Sequence, residues 1–366
     1  MNSIKDAIEN GNQCGDGFYS KSCEKLIEEQ TGTLKALLTP SCTAALELSA
    51  VLIDIQSGDE IILPSYTFVS TVNAFVLRGG KPIFVDIEPN TMNIDPLCIE
   101  NAITDKTKAI IVVHYAGVAC DMDKIMAIAK RYNLYVIEDA AQAVGSYYRG
   151  QALGTIGHFG AFSYHATKNI TSGGEGGALL INDKNLIDRA EIFREKGTNR
   201  KQFMRGSVDK YSWVDIGSSF LPSEIQAAYL FEQLKSMKLI NEKRITLYEK
   251  YKNSLANLVE QGTIRFGSIP DYATNNGHMF FVKCNNLQER TALIKYLKDS
   301  DIQSTFHYVP LHTSPKGMEI SEFRGIDNFT TSESEKLMRL PLFYDLTIED
   351  VDNICGNIYQ FYKARN

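Results

Sequence analysis

Short apolar runs alternate with amphipathic segments along the first half of the chain. The runs at 60–63, 81–85, 108–114 and 134–138 predict short buried strands, and the segments 22–31, 43–54 and 122–132 have the periodicity of helices. Alternation of this kind is typical of a mainly parallel sheet that is covered by helices. The first half is therefore predicted to be an α/β domain.

The pattern changes after residue 223. A long helical stretch over 223–258, with apolar positions on one face and a Lys/Glu-rich outer face, predicts a helix that connects to a smaller C-terminal domain. That domain offers a strand at 278–283, a helix at 287–300 and a terminal helix at 348–364. We expect it to be α+β.

Composition excludes several classes of function. The 366 residues carry a net charge of -6 and are 44% apolar, which is ordinary for a globular protein and leaves no basic surplus for a nucleic-acid partner. The seven cysteines are scattered and form no Cys-x-x-Cys pair, as expected of reduced thiols in the cytoplasm. The longest purely aliphatic run, 109–113, is too short to span a membrane, and the N-terminus lacks a signal peptide.

The most informative residues follow strand ends of the first domain. The strand VIED at 136–139 ends in Asp139, and Lys168 lies in FSYHATKN at 162–169. Because ligands bind at the carboxyl ends of strands in open α/β sheets, Asp139 and Lys168 could meet there. Taken alone, an acid such as Asp139 is more commonly a helix N-cap, and a lysine near glycines such as Lys168 is usually a solvated surface residue.

Two further segments bear on an anionic ligand. The segment PSCTAA at 40–45 opens a helix with small and hydroxyl residues, whose free N–H groups suit a phosphate. The run GGEGG at 173–177 permits close backbone approach but is neither a Walker loop nor a clean dinucleotide fingerprint. A lysine, an acid and an anion-holding helix start are together what pyridoxal 5'-phosphate (PLP) requires.

These segments resemble the sugar-nucleotide aminotransferases of the fold-type-I PLP superfamily. The resemblance covers nearly the whole chain. Six further segments narrow it to members that aminate dTDP-4-keto-6-deoxyglucose with glutamate: TPSCT at 39–43, HYAGV at 114–118, REKGTNR at 194–200, DKYSW at 209–213, GSSFLPS at 217–223 and FHYVPLH at 306–312. Several unrelated motifs that agree in order make the resemblance specific.

The resemblance implies an architecture. We expect a large PLP-binding domain over 1–235, with a mostly parallel seven-stranded sheet between helices, and a small C-terminal α+β domain over 236–366. The N-terminal segment 1–25 is expected near the active site. The family also implies a homodimer with shared active sites.

The resemblance further implies roles for individual residues. Lys168 corresponds to the Schiff-base lysine that also moves protons, and Asp139 corresponds to the carboxylate that faces the pyridine nitrogen. The remaining expected cofactor contacts are Thr43 and Ala44 and Ser163 at the phosphate, Gln142 near the ring oxygen, and Phe68 stacked on the ring.

Candidate substrate contacts are less determined by the motifs. His165, Arg205, His307 and Tyr308 are expected near the sugar or the diphosphate, although a solvated loop explains Arg205 equally well. The spacing of His307 and His312 spans Pro310 and brings no third ligand, so no metal site is expected.

The reaction implied by the resemblance moves the amino group of L-glutamate to the C4 ketone of dTDP-4-keto-6-deoxyglucose. It would serve lipopolysaccharide or surface-glycan biosynthesis in the cytoplasm. One alternative is a C3- or C4-aminotransferase that acts on another dTDP-, UDP- or GDP-linked ketosugar. A second is a non-catalytic binding protein, which the intact Lys168, Asp139 and Gln142 disfavour.

Overall fold

A computed structural model describes residues 2–11 and 13–365 of the chain. Their helices are α1 (Asn2–Glu9), α2 (Phe18–Thr31), α3 (Cys42–Leu52), α4 (Val69–Val76), α5 (Pro96–Glu100), α6 (Met122–Tyr132), α7 (Ile187–Arg194), α8 (Arg200–Met204), α9 (Glu224–Lys235), α10 (Met237–Ser254), α11 (Ala256–Glu260), α12 (Leu287–Asp299), α13 (Pro315–Ile320), α14 (Thr330–Lys336) and α15 (Ile348–Lys363). Their strands are β1 (Lys35–Thr39), β2 (Glu60–Pro64), β3 (Lys81–Val85), β4 (Thr107–Val113), β5 (Tyr135–Asp139), β6 (Tyr147–Tyr148), β7 (Gln151–Ala152), β8 (Phe159–Ser163), β9 (Gly177–Ile181), β10 (Arg265–Phe266), β11 (Phe280–Lys283), β12 (Thr305–Phe306), β13 (Glu322–Phe323) and β14 (Leu337–Leu340).

The large sheet has the strand order β1-β9-β8-β5-β4-β2-β3-β13. Strands β8, β5, β4, β2, β3 and β13 are parallel neighbours, whereas β9 runs antiparallel between β8 and β1. The predicted fold class is confirmed. In the described residues the sheet has eight strands instead of seven, because the two-residue strand β13 adds to its edge.

The sheet is covered on both faces, as its apolar strands require. Along β4, Ile110 and Val112 pack into one hydrophobic cluster, while Ala109 and Ile111 pack into a second cluster on the opposite face. Successive side chains of a strand point to opposite faces, so a continuous apolar run is what a doubly covered strand needs. Strands β1, β2, β4, β5 and β8 run in the same direction, so their carboxyl ends lie at the same edge of the sheet.

The expected long helix over 223–258 is divided into three. It begins at Ser223, whose side chain and that of Gln226 form a capping box, but it is interrupted at Ser236 and again at Leu255. At Ser236 the N–H donates to the carbonyl of Gln233, three residues back, which is the tighter hydrogen-bonding pattern that often ends an α-helix. The prediction of one continuous helix was wrong.

The N-terminal segment packs on α9. The carboxylate of Glu224 accepts the N–H groups of Gly17 at 3.0 Å and Tyr19 at 2.7 Å, which satisfies the first turn of α2. Met1 and Asn12 of the segment 1–25 lie outside the described residues. The placement of this segment near an active site stays a prediction.

The C-terminal part forms a four-stranded antiparallel sheet, β10-β11-β14-β12, and is fastened to the large sheet. Beyond the pairing of β13 with β3, Arg324 donates to both carboxylate oxygens of Glu60 at 3.0 Å, and Lys81 pairs with Glu322 at 2.7 Å. The domain boundary predicted at residue 235 stays a prediction, although β13 lies after this boundary in the sequence and pairs with the large sheet before it.

None of the helices in residues 2–11 and 13–365 combines the length and the apolar character needed to cross a membrane.

Candidate active site

A cavity of about 550 Å³ lies at the edge where the parallel strands end. Its walls come from the turns after β1 and β2, from the ends of β5 and β8, and from the C-terminal part of the chain. The structure brings together nine predicted site residues on this wall: Thr43, Phe68, Asp139, Gln142, Ser163, His165, Lys168, His307 and Tyr308. Distant segments thus converge as the strand-end argument requires.

Two predicted residues do not line the cavity of this chain. Ala44 lies in the first turn of α3 behind the wall, and its N–H donates to the Ser41 hydroxyl at 3.1 Å. Arg205 is exposed at the end of α8 and donates to Glu191 at 2.7 Å. The guanidinium of Arg205 is therefore occupied by an ion pair away from the cavity.

Lys168 presents an unpaired amine to the cavity. It lies in the loop after β8, where its backbone N–H donates to the carbonyl of His165 at 2.9 Å. Within residues 2–11 and 13–365 its Nζ makes no hydrogen bond or ion pair. Burial lowers the pKa of Lys168, and the nearby Arg339 lowers it further, while Cys42 and Asp139 oppose the change. A desolvated lysine amine with a lowered pKa is a better nucleophile.

Asp139 ends β5 with its carboxylate directed by two donors. Thr71 donates its hydroxyl to Oδ2 at 2.7 Å, and the N–H of Ala141 donates to Oδ1 at 3.1 Å. No lysine, arginine or histidine of the described chain forms an ion pair with this carboxylate. It therefore has lone pairs left for a cationic group in the cavity.

The aromatic wall of the cavity consists of Phe68 and Tyr308. Phe68 precedes α4 and is 56% exposed, with its ring centroid 6.1 Å from that of Tyr308. The hydroxyl of Tyr308 accepts a hydrogen bond from Nε2 of Gln142 at 3.2 Å, and Oε1 of Gln142 accepts the N–H of Ala116 at 2.6 Å. An uncovered aromatic face in a cavity offers a stacking surface for a flat ring.

The turn before α3 has the form of an anion site. Ser41 caps the helix through Ala44, and Thr43 and Ser70 join their hydroxyls at 2.9 Å. Gly177 of β9 passes so closely that an added Cβ would lie 2.4 Å from the Ser41 carbonyl carbon. The glycine at 177 is thereby explained, because a side chain there would displace this turn.

A buried polar cluster supports the end of β5. Glu138 and His114 are fully buried and joined at 2.9 Å, and the Glu138 carboxylate also accepts the N–H groups of Gly154 at 2.7 Å, Ile156 at 2.7 Å and Gly157 at 2.6 Å. The Glu138 side chain therefore joins the ends of β4 and β5 to the segment that precedes β8. Asp139 is the next residue, so the cluster fixes the backbone that carries it.

Several cavity residues were not predicted from the sequence, among them Thr71, His278 and Arg339, and Arg339 bears on the choice of ligand. It lies on β14, paired with Phe281 and Thr305, and its Nε is buried without a hydrogen-bond partner. No local signal marked it, because the run LMRL at 337–340 does not alternate apolar with polar residues; in the structure Arg339 shares a face of β14 with Leu337, which packs against buried tyrosines. Because a buried cation is costly unless an anion pairs with it, an arginine on this face indicates an anionic ligand in the cavity.

The histidines from the C-terminal part of the chain are neutral in this setting. Burial lowers the pKa of His307 to about 2, with Arg339 and Lys168 contributing in the same direction. Burial also lowers the pKa of His278, whose Nδ1 lies 3.0 Å from Oδ1 of Asn169. His165 instead lies at the rim, with Nε2 3.5 Å from a carboxylate oxygen of Glu175.

These groups fit the parts of PLP. Lys168 offers an unpaired amine to the aldehyde, Asp139 offers a carboxylate to the ring nitrogen, and Phe68 offers an uncovered face to the ring. The helix start at Thr43 offers N–H and hydroxyl donors to the phosphate. The main evidence for this fit is that one cavity contains both Lys168 and Asp139, and that neither forms an ion pair with another residue of the described chain.

Comparison with known proteins agrees with this geometry. The profile of the DegT/DnrJ/EryC1/StrS aminotransferase family matches residues 1–359. An uncharacterized protein of Methanocaldococcus jannaschii is 37% identical over 92% of this chain and 88% of its own length.

Solved structures are similar over the whole chain. The aminotransferase TlmJ from Streptoalloteichus hindustanus is 26% identical, with a TM-score of 0.90 over 100% of this chain and 96% of its own. NtdA from Bacillus subtilis, solved with bound cofactor PMP, is 28% identical, with a TM-score of 0.88 over 99% of this chain and 81% of its own. PMP is the aminated form of PLP.

Proposed function

Because the chain belongs to the DegT/DnrJ/EryC1/StrS aminotransferase family, we propose that it transfers the amino group of L-glutamate to the C4 ketone of dTDP-4-keto-6-deoxyglucose. The product would be dTDP-4-amino-4,6-dideoxygalactose. Membership makes the protein a PLP-dependent sugar aminotransferase. The finer assignment of substrate is supported by the six segments quoted above, which resemble dTDP-4-amino-4,6-dideoxygalactose transaminase.

The observation that carries the proposal is the unpaired Nζ of Lys168 in a cavity that also holds Asp139 and Arg339. PLP, when bound, supplies an aldehyde that links to amines and a ring that stabilises negative charge on the adjoining carbon. Nζ of Lys168 then takes the proton from Cα of glutamate and later delivers a proton to C4 of the sugar. The face from which it delivers that proton sets the configuration at C4.

The surrounding side chains orient and shield the reacting groups. Asp139, directed by Thr71, would keep a proton on the ring nitrogen. Phe68 would cover one face of the ring and limit the access of water, and Gln142 would lie near the ring oxygen. Thr43 and Ser163 would hold the phosphate, whereas Ala44 could contribute only its backbone N–H, which donates to the Ser41 hydroxyl in this structure.

The cavity has one side chain that suits the carboxylate of glutamate and several that suit a sugar. Arg339 lines the cavity, and its guanidinium forms no ion pair with an acid of the described residues, so it is available to a carboxylate of L-glutamate. His307, His165 and Tyr308 present neutral or partly exposed polar groups, which suit the hydroxyl groups of a sugar. The cavity of about 550 Å³ lies within the size range of small-molecule sites.

We also propose a homodimer with shared active sites that works in the cytoplasm for surface-glycan or lipopolysaccharide biosynthesis. The segment 203–216 supports an interface because it exposes Met204, Tyr211 and Trp213 together, Trp213 at 78%. All seven cysteines are free thiols, which suits a reducing compartment.

The test is to incubate the PLP-loaded protein with L-glutamate and dTDP-4-keto-6-deoxyglucose and to identify the sugar product by NMR. We expect an axial 4-amino group, and we expect the Lys168→Ala variant to form no product. An equatorial amine, or amination of only a UDP- or GDP-linked ketosugar, would replace the substrate assignment by one of the alternatives. Failure of glutamate to convert the bound cofactor would refute the reaction itself.

A further inference from the structure

The loop that carries His307 and Tyr308 is fastened to the end of β2 through Ser65. The hydroxyl oxygen of Ser65 lies 2.7 Å from Nδ1 of His312 and accepts the backbone N–H of His312 at 3.0 Å. The carbonyl of Ser65 accepts the N–H of Leu311 at 3.0 Å and the N–H of Thr67 at 3.1 Å. One buried serine therefore joins the loop to the turn that leads to Phe68.

The other side of the His312 ring faces a carboxylate. Nε2 of His312 lies 3.2 Å from Oδ2 of Asp327, and Oδ1 of the same carboxylate accepts the N–H of Thr331 at 3.1 Å. A carboxylate only accepts hydrogen bonds, so Nε2 carries a proton. Burial lowers the pKa of His312 although Asp327 opposes the change, which favours the neutral ring. Nδ1 is then unprotonated, and Ser65 donates its hydroxyl proton to it.

The row Ser65–His312–Asp327 has the residue types of a hydrolytic triad but not its accessibility. Ser65 is 0% exposed, so no substrate carbonyl reaches its oxygen. Its hydroxyl is also committed to His312. What the row can do is hold two segments at a fixed separation.

Those two segments carry the aromatic walls of the cavity. Phe68 follows Ser65 by three residues, and Tyr308 precedes His312 by four, with 6.1 Å between the ring centroids. Movement of the loop relative to the turn would change this gap directly. The Gln142 contact of Tyr308 would be lost with it.

We propose that Ser65, His312 and Asp327 are positioning residues that set the gap between Phe68 and Tyr308 and thereby the fit of the ketosugar. The inference rests on the proposed function only in that the ketosugar binds in the cavity that these two side chains line. The row makes no contact with the cavity itself, because its members lie behind the wall.

Hydrogen–deuterium exchange of the PLP-loaded protein tests the fastening without any substrate. Ser65→Ala and His312→Ala should raise exchange in peptides that cover 305–313 about tenfold, as expected for loss of a buried hydrogen bond. His312→Asn should restore most of the protection, because its side-chain oxygen can still accept the Ser65 proton. Ser146→Ala is the matched control, since the buried Ser146 hydroxyl has no partner to lose.

The kinetic readout separates positioning from general damage. Ser65→Ala should raise KM for the ketosugar about tenfold while the glutamate half-reaction, followed by cofactor absorbance, keeps its rate. Equal slowing of both half-reactions, or unchanged exchange over 305–313, would overturn the inference. If wild-type protein rejects dTDP-4-keto-6-deoxyglucose, the proposed substrate fails, while the exchange measurement still decides whether the row holds the loop.

Discussion

Replacing Arg339 by methionine should separate binding of the amino donor from stability. Methionine keeps the unbranched stem but lacks the guanidinium and its charge, and no hydrogen bond at Nε is lost because that atom has no partner among the described residues. Methionine also removes the cost of burying a cation. We therefore expect the free energy of unfolding of the cofactor-free protein to stay within about 1 kcal/mol of wild type or to rise.

Binding of glutamate should respond in the opposite way. A charge-assisted hydrogen bond between the guanidinium and a carboxylate contributes about 3 kcal/mol in a desolvated site. Its loss should therefore raise the dissociation constant for glutamate about 150-fold. The assay is the rate at which glutamate converts the bound cofactor, measured by absorbance against glutamate concentration. Saturation should require about 150-fold more glutamate, with the ketosugar half-reaction much less affected.

Arg324→Met is the matched control. Arg324 donates to both oxygens of Glu60, so its loss should destabilise the fold without changing the glutamate dependence. The reasoning would be refuted if Arg339→Met were markedly less stable than wild type and bound glutamate normally. Arg339 would then be a structural residue with a partner that the geometry does not show.

Three further predictions concern the cofactor site. Gly177→Ala should weaken PLP binding about tenfold or more by pressing its Cβ on the Ser41 turn, whereas Gly174→Ala, with open space around it, should not; fluorescence titration of the cofactor-free protein compares them. Glu138→Ala should lower the free energy of unfolding in urea by about 4 kcal/mol, because it leaves several buried donors unpaired, and a loss under 1 kcal/mol would contradict the cluster. Burial lowers the pKa of Lys168 from its ordinary value of 10.5, so the protonated lysine destabilises the folded state below that pH. Lys168→Met should therefore raise the Tm of the cofactor-free protein near pH 7. The gain in Tm should shrink as the pH rises toward 10.5.

Elements with strong local signals were predictable from the sequence. Helix α6 occupies the predicted residues 122–132, because Asp121 caps its start and Asn133 ends it in a left-handed conformation. Strand β3 likewise matches the run 81–85. The break at Ser236 was not predictable, because the apolar periodicity continues through it and no Gly or Pro marks it.

The same distinction holds for the cavity. Lys168 and Asp139 were predictable because each follows a buried strand, and parallel strands end at one edge. Arg339 comes from a distant antiparallel strand, so no local rule places it there. Arg205 had a basic neighbourhood that suggested a substrate contact, but basic residues pair as readily with nearby acids, and Glu191 is such an acid.

The pairing of β13 with β3 has a consequence for synthesis of the chain. Lys81 and Glu322, which meet across this pair, are 241 residues apart. At ordinary translation rates the outer edge of β3 waits on the order of 10–50 s on the ribosome before its partner exists. An uncovered strand edge is a template for pairing with other chains during that interval. The nascent protein thus depends on residues 322 and 323 to cover the outer edge of β3. A fragment that ends before these residues would leave that edge free to pair with other chains, so it would tend to aggregate.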